Sequence, residues 1–174
     1  MVDEMVLIAN QVYNENLCLD DIDATVLNKQ RINTSKRELH ELLLRLKRLS
    51  DDELEVLATT SLVNQRLLCF ISCIRAYLFL REFMEEVVLE NHLLLKPTID
   101  ELDYTVFFNR KSLEYSEVDG LATSTKEKVR QVIFKMLEQA GLIDNVSSRR
   151  LQVPYIDISL GHLISPEERK YLLN

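Results

Sequence analysis

Along this 174-residue chain a Ser or Thr is followed three positions later by Glu at Ser35–Glu38, Ser50–Glu53, Thr98–Glu101, Ser124–Glu127 and Ser165–Glu168. In that spacing the hydroxyl accepts from the third amide of a helix and the carboxylate accepts from the cap's own amide, so two orphan donors are satisfied together. The last of the five puts Pro166 at the first helical position, which needs no N–H. Helix breakers are scarce, with only 3 Gly and 3 Pro. That is too little turn punctuation for a sandwich or barrel. The fold class is mainly α. Spacing predicts helices over 3–15, 21–29, 35–49, 51–59, 62–80, 81–95, 99–110, 113–119, 125–140 and 166–173.

The segment from Ser61 to Leu80 has few polar positions and reads as the central buried helix. Lys96-Pro97 ends the helix after it and is the predicted seam. Residues 1–96 then form a helical bundle with a candidate helix-turn-helix at 21–49. Residues 97–174 read as a winged helix-turn-helix with a C-terminal helix. In that unit Asp119-Gly120 makes the turn and Ser124 caps the long helix, which stops at Ala140-Gly141. Leu142-Ile143, a polar turn from Asn145 to Ser148, and Leu151-Gln152-Val153 read as one short β-hairpin.

Composition narrows the chemistry. Hydrophobic residues at 47% and charged residues at 28% describe an ordinary folded globular chain. Three scattered glycines, Gly120, Gly141 and Gly161, cannot write a nucleotide-phosphate loop. The acidic start Met1-Val2-Asp3-Glu4 lacks a signal peptide's basic region, and the apolar run Leu67 to Ile74 is far short of a membrane span. Cys18, Cys69 and Cys73 do not make a disulfide framework and indicate a reducing cytoplasm. Cys69 and Cys73 share a helix face, but no second Cys or His pair completes a metal site. His40, His92 and His162 have no nucleophile or acid at supporting spacing. Asp20-Asp21-Asp23 and Asp51-Asp52-Glu53 sit where helices begin and complement the dipole. Glu82, Glu85, Glu86 and Glu90 read as a solvated helix face. No enzyme, cofactor, metal or small-molecule substrate is expected.

The net charge of −7 conceals a segregation. Residues 29–48 hold seven basic side chains, Lys29, Arg31, Lys36, Arg37, Arg45, Lys47 and Arg48, against two carboxylates, a local balance of +5. Residues 123–150 hold six, Lys126, Lys128, Arg130, Lys135, Arg149 and Arg150, against three, a balance of +3. Local field, and not net charge, decides whether a surface attracts a polyanion. In the 125–140 helix Val129, Val132, Ile133, Met136, Leu137 and Ala140 make an apolar stripe. Lys128, Gln131 and Lys135 line the opposite side, where a recognition helix presents side chains to a groove. Ser124, Thr125 and Lys126, with the helix-start amides, are placed to hold a phosphate, and Arg149 and Arg150 fall on the wing. Arg130 and Gln131 are the base-reading candidates. A second surface is expected on the 35–49 helix, from Lys36, Arg37, Lys47 and Arg48 around the stripe Leu39, Leu42, Leu43, Leu46 and Leu49. A solvated helix face explains both patterns without nucleic acid.

Two stretches carry a family resemblance. The run Leu57 to Val87, with Gln65-Arg66, Arg75-Ala76-Tyr77-Leu78-Phe79-Leu80-Arg81 and Glu82-Phe83, resembles the central segment of the BrxA family, accessory proteins of bacterial BREX phage-defence systems. Ser124 to Arg130, then Ile133 to Leu137 and Ala140-Gly141-Leu142, are similar to that family's other recurring stretch. The resemblance implies a cytoplasmic, non-enzymatic protein that binds double-stranded DNA beside a methyltransferase, an ATPase and a phosphatase-like protein. It would help to tell host from phage DNA. The alternatives are an adaptor that joins BREX subunits, docking through Phe134 and its neighbours, and a helical RNA-binding protein. No membrane contact is expected.

Overall fold

The computed structural model describes residues 2–28 and 32–174. Its contacts divide into two units, one of Met1–Tyr77 with Ile156–Ile164, the other of Leu78–Tyr155 with Ser165–Asn174. The division falls at Tyr77–Leu78, where the seam was expected at Lys96-Pro97, and a late segment returns to the first unit.

In the first unit α1 (Val2–Glu15), α2 (Ile32–Leu46), α3 (Asp51–Thr59) and α4 (Leu62–Ala76) pack as a bundle, with α1, α2 and α3 all against α4. The predicted periodicity holds. Leu39, Leu42 and Leu46 of α2, Leu54 and Leu57 of α3, and every residue from Leu67 to Ile74 are buried. Ser50 and Glu53 form the expected capping box, and Ser61 caps α4. Glu53 also holds Arg75 in a two-pronged pair at 2.6 and 2.7 Å. Arg45, counted in the basic island, turns inward. It is 6% exposed, and its Nε donates to the Tyr77 hydroxyl at 2.7 Å. Tyr77 is extended and breaks the helix expected to run to residue 80. The short α10 (Ile158–Leu163), which the sequence did not signal, is capped by Asp157, whose carboxylate also accepts from buried Asn64.

The helix expected at 21–29 is replaced by two 3₁₀ turns, Leu19–Asp21 and Ala24–Leu27. Aspartates favour local bonds over helical ones. The Asp21 carboxylate accepts from the Cys18 amide, and the Asp23 carboxylate from the Thr25 amide at 2.9 Å. The N-terminal helix-turn-helix therefore lacks its first α-helix over the described residues. Lys29, Arg31 and the start of the expected turn lie outside them. Ser35 falls inside α2 and is buried, not a cap.

In the second unit α5 (Leu78–Phe83), a π turn (Met84–Val88) and α6 (Leu89–Leu93) form one continuous helical stretch. After it come α7 (Glu101–Glu114), the one-turn α8 (Ser116–Asp119), α9 (Thr123–Gln139) and α11 (Pro166–Arg169). The core is aromatic. Phe83 meets Tyr104, Phe107 and Phe134 edge-on at 5.2 to 6.0 Å between centroids, a geometry that sets positive ring edges against negative faces. Of the four carboxylates read as a solvated face, Glu90 is exposed, whereas Glu82, Glu85 and Glu86 have partners on other segments. Lys111, 2% exposed, reaches Glu114 at 2.7 Å, Glu86 at 2.8 Å and Glu82 at 3.4 Å. Burial opposes its charge, but the three carboxylates outweigh that and raise its pKa. Glu85 in the π turn accepts from the Tyr171 hydroxyl at 2.6 Å. Sequence periodicity is blind to a partner that arrives from another helix.

The β-hairpin is the larger correction. No regular strand forms among the described residues, only the antiparallel bridges Thr98–Arg150 and Ile143–Leu151. Three short segments still lie side by side, with the Leu151 amide donating to the Pro97 carbonyl at 2.8 Å and the Gln152 amide to the Leu142 carbonyl at 2.9 Å. Side chains stop the ladder from growing. Asn145 accepts from the Ser147 and Ser148 amides, and Asp144 accepts from the Arg150 amide, each at 2.9 Å. Arg149, at φ +50°, leaves the extended region altogether.

Candidate nucleic-acid interface

The long helix α9 (Thr123–Gln139) begins two residues earlier than the Ser124 cap signal implies. Ala122 is the cap, with no side-chain bond, so Ser124 and Thr125 sit exposed in the first turn. The Thr125 and Lys126 amides, expected to be free, both donate to the Ala122 carbonyl at 2.9 and 3.0 Å. Lys126 reaches back over the Phe108 ring, 5.5 Å from its centroid.

Downstream, the predicted division of faces is present in part, since Val132 of the expected apolar stripe is exposed on the basic side. Ile133, Phe134 and Leu137 are buried, while Lys128, Gln131 and Lys135 are exposed. These three exposed residues line one open hollow of about 430 Å³ with Arg130, Val132, Phe134, Val146 and Arg149. The 142–151 turn supplies Val146 and Arg149, so helix and turn together make the concavity. Lys128 and Gln131 have no side-chain hydrogen bond or ion pair among the described residues, and Lys135 pairs with Glu138 one turn on.

The arginines are held more tightly. Arg149 places its guanidinium 4.8 Å from the centroid of the Phe134 ring and donates from Nη1 to Glu101 Oε2 at 2.8 Å. Arg130 donates to Glu101 Oε1. One carboxylate at the start of α7 therefore bridges a helix arginine and a turn arginine. Arg150 is exposed beside them but does not line the hollow; its charge helps hold the Asp144 carboxyl below its usual range, after the Ser148 hydroxyl bond and against slight burial. Glu101 was read only as a capping residue. It lies 29 and 48 positions from its partners, and the helix box is formed by Asp100 and Asp103 instead.

The N-terminal island does not gather in the same way. Lys36 and Arg37 lie near the start of α2 and line a shallow surface with Thr34, Glu38, His40 and Glu41. Lys47 and Arg48 lie just past its other end, about 15 Å away along a helix axis. Lys47 is paired with Asp20, and the Arg48 carbonyl accepts from Arg75 at 2.8 Å. The four residues make two separate clusters.

Cys69 and Cys73 are buried free thiols, and Cys18 is exposed. Among the described residues no group of three His, Cys, Asp or Glu side chains is placed to hold a metal ion, and no helix is long and apolar enough to cross a membrane.

A family model described as BrxA matches residues 1–168. The chain belongs to the BrxA family. A "BREX protein BrxA" from Bacillus cereus (strain H3081.97) is 24% identical over 134 residues, which cover 75% of this chain and 67% of the relative. The BrxA-family fold also resembles a crystal structure of an uncharacterized protein from Magnetospirillum magneticum. The TM-score is 0.80 at 17% identity, with 99% of this chain and 90% of the other covered. At that identity the likeness concerns the fold alone.

Proposed function

We propose that this BrxA-family chain is a non-enzymatic, double-stranded-DNA-binding component of a BREX phage-defence system. It works in the cytoplasm and grips the duplex mainly by its phosphates. The observation that carries the reading is the hollow where Lys128, Gln131 and Lys135 of α9 face Arg149 of the adjoining turn. A helix with a basic exposed face beside a basic turn matches the contact surface of a winged helix-turn-helix, with α7, α8 and α9 as its helices. The segments 97–99, 142–144 and 149–152 stand for a minimal wing. The first unit contributes Lys36 and Arg37 as additional phosphate contacts. With Gln131 as the base-reading candidate and Arg130 engaged by Glu101, sequence preference is weak.

A second reading, an adaptor between BREX subunits, draws on exposed apolar residues and not on Phe134, which is 5% exposed. Leu102, Val106 and Leu113 of α7 are 69%, 55% and 91% exposed.

Fluorescence anisotropy with a labelled random duplex separates the two. If about five phosphates are neutralised, affinity falls a few hundredfold between about 50 and 200 mM salt, while an apolar interface hardly responds. Competition with single-stranded DNA and structured RNA separates duplex DNA from RNA as the ligand. Reversing both Lys128 and Lys135 to Glu is expected to weaken binding at least tenfold at low salt, as a sequence-independent phosphate term requires. Unchanged affinity in that variant rules out the α9 face as the contact surface.

A further inference from the structure

We propose that Glu101 is a built-in competitor for DNA phosphate, occupying the two arginines of the α9 hollow until a polyanion displaces it. The proposal rests on the duplex-binding reading above and adds its regulation.

The geometry is that of an anion clamp with its occupant supplied by the chain. Glu101 Oε1 accepts from Arg130 and Oε2 from Arg149 at 2.8 Å. Guanidinium groups recognise carboxylate and phosphate through the same fork of donors, so a backbone phosphate can take over the same N–H groups. The occupant is replaceable. Its side chain is 51% exposed, and ion pairs open to solvent contribute little net stability.

The clamp does not depend on its occupant. Arg149 is stacked on Phe134, and its backbone is held at φ +50°, a conformation that disfavours every residue with a Cβ. An arginine kept in that state at the lip of a hollow is aimed there by the surrounding structure. Arg130 is carried by α9 itself, between Lys128 and Gln131 on the lining of the same hollow. Withdrawing the carboxylate therefore leaves two oriented cations beside Lys128 and Lys135.

The consequence is selectivity for a ligand class. A single anion must pay for opening the clamp with one or two contacts. A duplex offers successive phosphates to Lys128, Lys135 and both arginines together, so it displaces Glu101 where free phosphate does not. Glu101 lowers the affinity for every anion but leaves the serial polyanion as the one that binds.

The test measures duplex affinity of the full chain at about 50 mM salt for wild type, Glu101→Gln and Glu167→Gln, with thermal unfolding confirming that each is folded. Glu167 is exposed, so its variant makes the same change in net charge away from the clamp. Glu101→Gln is expected to bind about fivefold tighter, the scale of one exposed ion pair, with Glu167→Gln unchanged. Glu101→Asp keeps the charge at the helix start but shortens the reach, and is expected to shift in the same direction should the Gln variant unfold. Inorganic phosphate should compete measurably better against duplex in Glu101→Gln than in wild type. Wild-type binding with no gain in either Glu101 variant overturns the competitor role and leaves the DNA-binding reading intact. Absence of duplex binding by all the proteins overturns both.

Discussion

The guanidinium of Arg149 lies over the ring of Phe134 at 4.8 Å from its centroid, although the two residues are carried by different segments, a turn and a helix. The contact covers the edge of an aromatic core and at the same time orients a cation toward solvent. Its backbone cost and its cation–π gain are of similar size, about 1 kcal/mol each.

Arg149→Gly therefore has opposed effects on stability. It removes the stacking and the bond to Glu101, but glycine adopts positive φ without strain. Thermal unfolding is expected to show a change within about 1 kcal/mol, while duplex affinity falls about tenfold, the scale of one charge-assisted contact. Arg149→Lys keeps the charge but loses the planar fork and retains the strain. It should bind better than the Gly variant and unfold at a lower temperature.

The Lys96–Asp103 pair predicts a pH profile. Burial pushes the Asp103 carboxyl up, but bonds from Lys96, the Asp100 amide and Asn91 outweigh it and hold the pKa below the usual value. A depressed carboxyl pKa stabilises the fold above its unfolded value of about 4 and loses that contribution as pH falls through the folded value. The hydrogen bond from Lys96 to Asp103, at 2.7 Å, raises the Lys96 pKa in turn, so its share is present below pH about 10 and lost above the raised value. Urea unfolding across pH should show stability falling below pH about 4. Lys96→Met should flatten that acid limb, and an unaltered limb would show that other carboxylates carry it.

Thiol chemistry checks the first unit's core. Burial pushes the Cys69 and Cys73 thiols well above their ordinary range, whereas Cys18 is exposed. Since the thiolate is the reactive form, a thiol-exchange reagent should titrate one of the three cysteines quickly in the native protein and all three in denaturant. Fast reaction of more than one means that α4 is not packed as described.

Much of the fold was legible before any coordinates, because its determinants are local. The Ser50–Glu53 box and the Ser165-Pro166 start each depend on atoms within four residues. The leucine stripe of α2 and the polar face of α9 depend on helical periodicity. Where local signals conflicted the reading failed, as at 21–29, where aspartate side chains took amides that a helix needed. At 142–151 the turn's own Asn and Asp bonds, with Arg149 in the left-handed region, kept a hairpin pattern from becoming strands.

The charges divide along the same line. From sequence alone the two basic islands, the exposed row Lys128, Gln131 and Lys135, and the resemblance to BrxA proteins were all readable. Which charges remain available was decided only by the tertiary structure. It turned Arg45 onto Tyr77, gave Lys111 three carboxylates, tied Asp157 to Asn64, and set Glu101 between Arg130 and Arg149. Ion pairs and buried polar bonds join residues tens of positions apart, and their partners carry no periodic mark in the sequence. Helix caps and apolar stripes are written within a few residues, but the pairing of distant charges exists only once the helices have packed.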